Sequence, residues 1–167
     1  MTTAELLANA LDRIRGVVHA TATGLTAAQL AYRPGPAANS IGWLIWHLTR
    51  VQDDHIADVA GAGQAWSDGW STRFGLPFDD AAIGYGQSAA EAAAVQVASA
   101  ELLTGYYDAV HSRSLAYVRT LTDPDLDRIV DEGWEPPVTL GVRLVSVIDD
   151  DAQHAGQAAY VRGLLPG

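Results

Sequence analysis

An all-α four-helix bundle is the fold this sequence predicts, and three observations predict it. Apolar residues recur at i, i+3, i+4 and i+7 through long stretches of the chain. Serine, threonine and asparagine stand ahead of those stretches, where helix caps belong. Nowhere do apolar and polar residues alternate convincingly, as a half-buried strand requires. Four helices of about 20 to 34 residues bury their stripes best against one another. The 167 residues form one domain, 1–167, long enough to enclose a core.

Each helix has its own justification. Residues 4–23 carry Leu7, Leu11, Ile14, Val18 and Ala22 on one stripe, and Gly24 ends the run. Thr26 to Leu30 supports at most a short helical turn before Arg33-Pro-Gly-Pro breaks the chain. Asn39 or Ser40 caps the second helix, which runs to about Val59. Periodicity then vanishes from Ala60 to Gln87, a stretch rich in glycine that also holds Trp66, Trp70, Phe74, Phe78 and Tyr85. Disordered segments are poor in aromatics, so this one is expected to pack over something. Ser88-Ala-Ala-Glu91 is a capping box that opens the third helix, read as continuous to about Leu121. Thr122-Asp-Pro-Asp stops it, and a connection with room for a short helix at 124–130 leads through Trp134-Glu-Pro-Pro. Thr139 caps the fourth helix, to about Leu164. The long connections permit a topology other than simple up-down.

Composition removes several kinds of chemistry. The chain has no cysteine, which excludes disulfides, thiolate metal sites and a cysteine nucleophile. All ten cations are arginine, so no lysine is present for a Schiff base. Twenty acidic residues give a net charge of −10, which repels a phosphate backbone, and no basic cluster overrides it. No apolar run approaches a membrane span, and the first residues lack the basic start and apolar core of a signal peptide. A cytoplasmic protein without nucleic-acid or membrane partners is the expectation.

The remaining chemistry concentrates in two helices. Asp150 and His154 are four residues apart, about 6 Å of rise and 40° of rotation, and so share a helix face. Leu140, Val147, Ala158 and Val161 lie on the same stripe, as does Arg143 about two turns earlier. Asp149 falls about 140° away, and Asp151 about 60° away at the stripe edge, so one carboxylate of the Asp149-Asp150-Asp151 run points inward. On the second helix His47 shares an apolar face with Trp43, Leu44 and Val51, with His55 about 80° round as a weaker candidate. A buried carboxylate needs a partner. Asp150 is therefore expected either to pair with Arg143 or His47, or to join His47 and His154 around a divalent cation. Three protein ligands would leave coordination positions open, the form of a catalytic zinc site. His19 and His111 read as surface or satisfied core.

At these residues the sequence resembles the DinB-like superfamily of metal-binding four-helix bundles, which includes mycothiol- and bacillithiol-dependent enzymes and mycothiol-dependent maleylpyruvate isomerase. The most specific pieces are Asn39-Ser-Ile-Gly-Trp-Leu-Ile-Trp-His47-Leu and Asp151-Ala-Gln-His154-Ala-Gly-Gln157. The resemblance implies an up-down-down-up bundle and a homodimer. It also implies a divalent metal, zinc or nickel, held by one histidine of the second helix and a pair on the fourth. His47 and His154 match two of those positions. Asp150 stands at the third, where the family has His or, in the isomerase branch, Glu. The expected function is a metal-dependent S-transferase that joins a small-molecule thiol, mycothiol or a relative, to an electrophilic substrate. Trp43, Trp66 and Trp70 are expected to line the cofactor pocket, with Phe74 beside them. Two other readings use the same residues: a non-catalytic binding or stress-related protein with a vestigial site, and a metal-assisted hydrolase or isomerase.

Overall fold

The computed structural model describes residues 1–166. Helix α1 (Thr3–Ala22) starts at a capping box of Thr2 and Glu5. A short α2 (Ala27–Leu30) precedes α3 (Ile41–Ala60), capped by Ser40, whose hydroxyl accepts from the Trp43 amide at 3.1 Å. After the 61–87 connection come α5 (Ala89–Ala94), α6 (Ala100–Val118) and α7 (Leu140–Gly163), with a small α4 (Trp70–Phe74) inside the connection. Helix α1 packs on α6 and α7, and α3 packs on the same two, so α1 and α3 take diagonal places in an all-α bundle. Among the described residues, no helix is long and apolar enough to cross a membrane.

Three sequence expectations need correction. The helix read as continuous from Ser88 to Leu121 is two, α5 and α6, separated by Val95–Ser99. Val95 and Val97 are buried, and Val97 packs so closely on α3 that a Cβ at Gly42 would lie 3.2 Å from its Cγ2. Val95 leaves the helix at φ −74°, ψ 90°, and Ser99 then caps α6 afresh by accepting from the Leu102 amide at 3.2 Å. The connection near Trp134 contains a two-stranded antiparallel hairpin, β1 (Ile129–Asp131) and β2 (Val138–Thr139), strands too short for alternation to register. In place of a short helix at 124–130 there is a 3-10 turn at Asp123–Asp127.

Helix α3 is buried over nearly its whole length. Trp46, Arg50 and Asp53 recur at i, i+4 and i+7 and face the 61–87 connection. Asp53 accepts from the amides of Ala65 and Trp66, both at 2.8 Å, and from the Tyr106 hydroxyl at 2.8 Å. Arg50 is fully buried and donates to Gln64 Oε1 at 2.8 Å and to the Ala82 carbonyl at 3.2 Å. Both ends of the aromatic connection are thereby tied to one helix face, and the segment is packed as its aromatic content predicts.

Candidate metal centre

His47, one turn after Trp43, lies beside that face of α3, about 100° round the helix from Trp46. The Trp43 indole stacks on the imidazole with ring centroids 4.5 Å apart and planes 21° apart, and its Nε1–H donates to Gln87 Oε1 at 2.7 Å. His47 Nδ1–H donates to the Ile83 carbonyl at 2.5 Å. A face held by tryptophan and one nitrogen held by backbone fix both ring orientation and tautomer. The backbone beside the ring is Gly84, at φ +94°, where an added Cβ would lie 2.6 Å from His47 Nδ1. Only glycine suits that position, for conformation and for space alike.

Helix α7 supplies the other two groups. His154 Nδ1–H donates to the Asp150 carbonyl at 2.9 Å, its ring centroid 4.8 Å from that of His47. Both imidazoles therefore spend Nδ1 on a carbonyl and leave the Nε2 lone pair free. The carboxylate of Asp150 lies alongside, with Oδ2 3.8 Å from His154 Nδ1. That oxygen is shielded from solvent and has no hydrogen-bond partner. One potential ligand atom from each of His47, Asp150 and His154 lies within 4.8 Å of the others.

Electrostatics favour a cation here. Burial pushes the His47 pKa below the ordinary histidine value, against the Ile83 hydrogen bond that raises it, so the ring is neutral and able to coordinate. Two neutral imidazole nitrogens and one carboxylate oxygen are a donor set for a borderline divalent ion such as zinc or nickel. An orphaned buried carboxylate oxygen costs several kcal/mol in isolation, about the scale of a lost charge-assisted bond. A cation would supply the partner it lacks. The alternative pairing of Asp150 with Arg143 is absent, because Arg143 donates to Asp131 Oδ2 at 3.0 Å and to His55 Nδ1 at 2.8 Å.

The other sequence candidates lie elsewhere. His55 is engaged with Arg143, His19 with Asp108 at 2.8 Å, and His111 with Asp12 at 2.9 Å. Trp43 reaches the group, but Trp66 and Trp70 are not brought to it. They pack on Tyr106 with centroids 5.2 and 5.6 Å away, and Trp66 also lies under the Arg50 guanidinium. Being in the same aperiodic segment as the site's backbone did not bring them to it. The place beside the group is taken by Ile83, Gly84 and Tyr85. Gly84-Tyr85-Gly86 was the one local signal for them, since paired glycines mark a tight turn. A cleft of about 600 Å³ opens from Asp150, walled by Val51, Ile83, Tyr85, Trp134 and Arg143.

Comparison with known proteins bears on this geometry. A family model described as mycothiol-S-transferase matches residues 6–167. The crystal structure of a conserved protein from Enterococcus faecalis is similar at 34% identity, with a TM-score of 0.91, over 98% of this chain and 97% of that one. No curated protein matches the chain.

Proposed function

Since the chain belongs to the mycothiol-S-transferase family, we propose that it joins a mycothiol-type thiol to an electrophilic substrate at a divalent metal held by His47, Asp150 and His154. The observation that carries the reading is the buried, unpartnered Oδ2 of Asp150, converging with two imidazoles that face it with free nitrogens. A divalent ion with an open position lowers the pKa of a thiol and supplies thiolate at neutral pH. The protein has no cysteine of its own, so the reacting sulfur belongs to the substrate, and it forms an S–C bond to the electrophile as the leaving group departs.

The residues have separable roles. Trp43 and the Ile83 carbonyl hold His47 in one orientation, so that its Nε2 needs no rearrangement to bind. The backbone carbonyl of Asp150 does the same for His154, and its carboxylate brings the negative charge that offsets a dication. Trp43 and His47 are almost wholly buried, which keeps water from one side of the group and strengthens its electrostatics.

The test combines metal content with ligand-dependent stability. Protein purified without a histidine tag should retain metal, and Asp150→Ala should lose it while remaining helical. Asp149→Ala should behave as wild type, because Asp149 is exposed and binds only Gln153. Mycothiol at a hundredfold excess over Kd should stabilise the metal-loaded protein by about 2.7 kcal/mol in a thermal melt. His154→Ala, lacking a ligand, should show much less. Identical shifts in both proteins, or none in either across millimolar thiol, remove the transfer reading and leave the vestigial or hydrolytic ones.

A further inference from the structure

We propose that Arg143 is the catch of a lid. Through Asp131 it holds the β1–β2 hairpin closed at the cleft beside Asp150, and its bond to His55 on α3 sets the catch. The lid acts on access alone, whichever reaction the candidate metal centre performs.

The hairpin is anchored unevenly. Its base is fixed to the bundle, where Arg128 donates to the Val59 carbonyl at 3.0 Å and to the Tyr117 hydroxyl at 2.9 Å. Val130 packs there against the cluster that holds Leu140 and Val147. Past Asp131 every residue from 132 to 137 is exposed, and among the described residues none of them hydrogen-bonds to a helix. Asp131 and Trp134 nevertheless line the cleft together with Ile83 and Tyr85. What ties this end of the hairpin to the bundle is one ion pair. Arg143 donates to Asp131 Oδ2 at 3.0 Å, with its own side chain only 17% exposed.

Arg143 has a second arm, and it ends on a nitrogen with two possible partners. The guanidinium donates to His55 Nδ1 at 2.8 Å. Arginine can only donate, so His55 carries its proton on Nε2 and accepts at Nδ1. Asp54 Oδ2 lies 3.9 Å from the same Nδ1. Protonation makes Nδ1 a donor, which repels Arg143 and turns toward Asp54. The two arrangements exclude each other, because one nitrogen cannot accept from arginine and donate to aspartate at once. In the second, the guanidinium loses its hold on α3, and the hairpin end that it carries is released.

The charges around His55 set the direction of the switch. Asp54, Asp58, Asp131 and Arg143 surround it, and Asp150 lies across the cleft. Burial, and then the Arg143 charge, hold the His55 pKa below its ordinary value, while Asp54, Asp58 and Asp150 oppose them without reversing the shift. His55 therefore binds a proton more readily in the open hairpin than in the closed one. The closed state is favoured above about pH 6.5. Opening gains up to about tenfold per pH unit below that, until His55 protonates in the closed state too.

Hydrogen exchange followed by mass spectrometry on the full chain, corrected for intrinsic rates, reads this opening in residues 128–140, with α6 as the internal reference. From about pH 7.5 to about pH 5.5 the wild-type hairpin should lose protection by about threefold or more relative to α6. His55→Gln keeps an acceptor for Arg143 and removes the titration, so its profile should be flat. Arg143→Gln should show low protection at both pH values with an unchanged far-ultraviolet helical signal. Asp131→Asn keeps an acceptor for the Gly133 amide and loses the charge that faces Arg143. It should behave as Arg143→Gln does, and it decides the outcome if Arg143→Gln does not fold. A flat wild-type profile, a His55→Gln profile as steep as wild type, or full hairpin protection in the folded catch variants would each overturn the proposal.

Discussion

Asp151 shows how far one side chain's setting can depart from its chemistry. Its wheel angle puts it at the edge of the α7 stripe, yet it is fully buried and neither carboxylate oxygen has a hydrogen-bond partner. Two neighbouring carboxylates thus point inward, not one, and only Asp150 joins the histidines. Burial pushes the Asp151 pKa well above the usual carboxylate range, and the charge of Asp150 adds to the shift. A folded-state pKa above the unfolded value means that this group favours the fold fully at pH below about 4. The contribution is lost as pH rises, by about 1.4 kcal/mol per unit, until the folded carboxyl itself ionises. Asp151→Asn keeps the shape and removes the titration. Denaturant melts from pH 4 to pH 7 should therefore show wild type losing stability relative to the variant. Parallel curves over that range would mean that Asp151 ionises normally in the fold.

Between helix α3 and the connection, the deciding feature is that adjacent faces of one helix bind successive parts of one loop. Arg50 and Asp53 tie down residues 64–82, while His47, about a quarter turn round the helix, binds the next residue, Ile83. Gly84 is where the loop passes the ring. Gly84→Ala should cost about 1–2 kcal/mol for an L-residue at positive φ. It should also lower metal affinity ten- to a hundredfold, because the methyl displaces the carbonyl that orients His47. Metal titration and chemical denaturation of the variant measure the two effects. Unchanged affinity would show that His47 is oriented without Ile83. The Asp150–His154 pair on α7 was legible in the sequence because i, i+4 proximity is local helix geometry. The role of Gly84 was not, since nothing within the turn says which ring it will meet. Trp66 and Trp70 misled for the same reason. Their aromatic character announces packing, but the side of α3 on which they pack follows from where Asp53 anchors the Ala65 and Trp66 amides.

Across the whole molecule, two hydrophobic clusters join all four long helices without help from the candidate metal site. Chelation of a metal-loaded preparation should therefore lower the melting temperature while leaving the far-ultraviolet helical signal unchanged. At a free metal concentration a thousandfold above Kd the loss is about 4 kcal/mol. A chain that unfolds on chelation would show that the cation belongs to the fold itself. The sequence by itself determined that this is a helical bundle, that Ser88 and Thr139 cap helices, that it has no thiol and no lysine, and that His47, Asp150 and His154 are the residues to bring together. Those follow from periodicity, spacing and composition, which act within a few turns of chain. Only the tertiary structure decided that Val95 and Val97 would split a helix and that Asp151 would be buried beside Asp150. It also decided that Ile83, Tyr85 and Trp134, not Trp66 and Trp70, would stand around the site. Each of those depends on which surface a segment meets across the bundle, and that is set by packing all the helices at once.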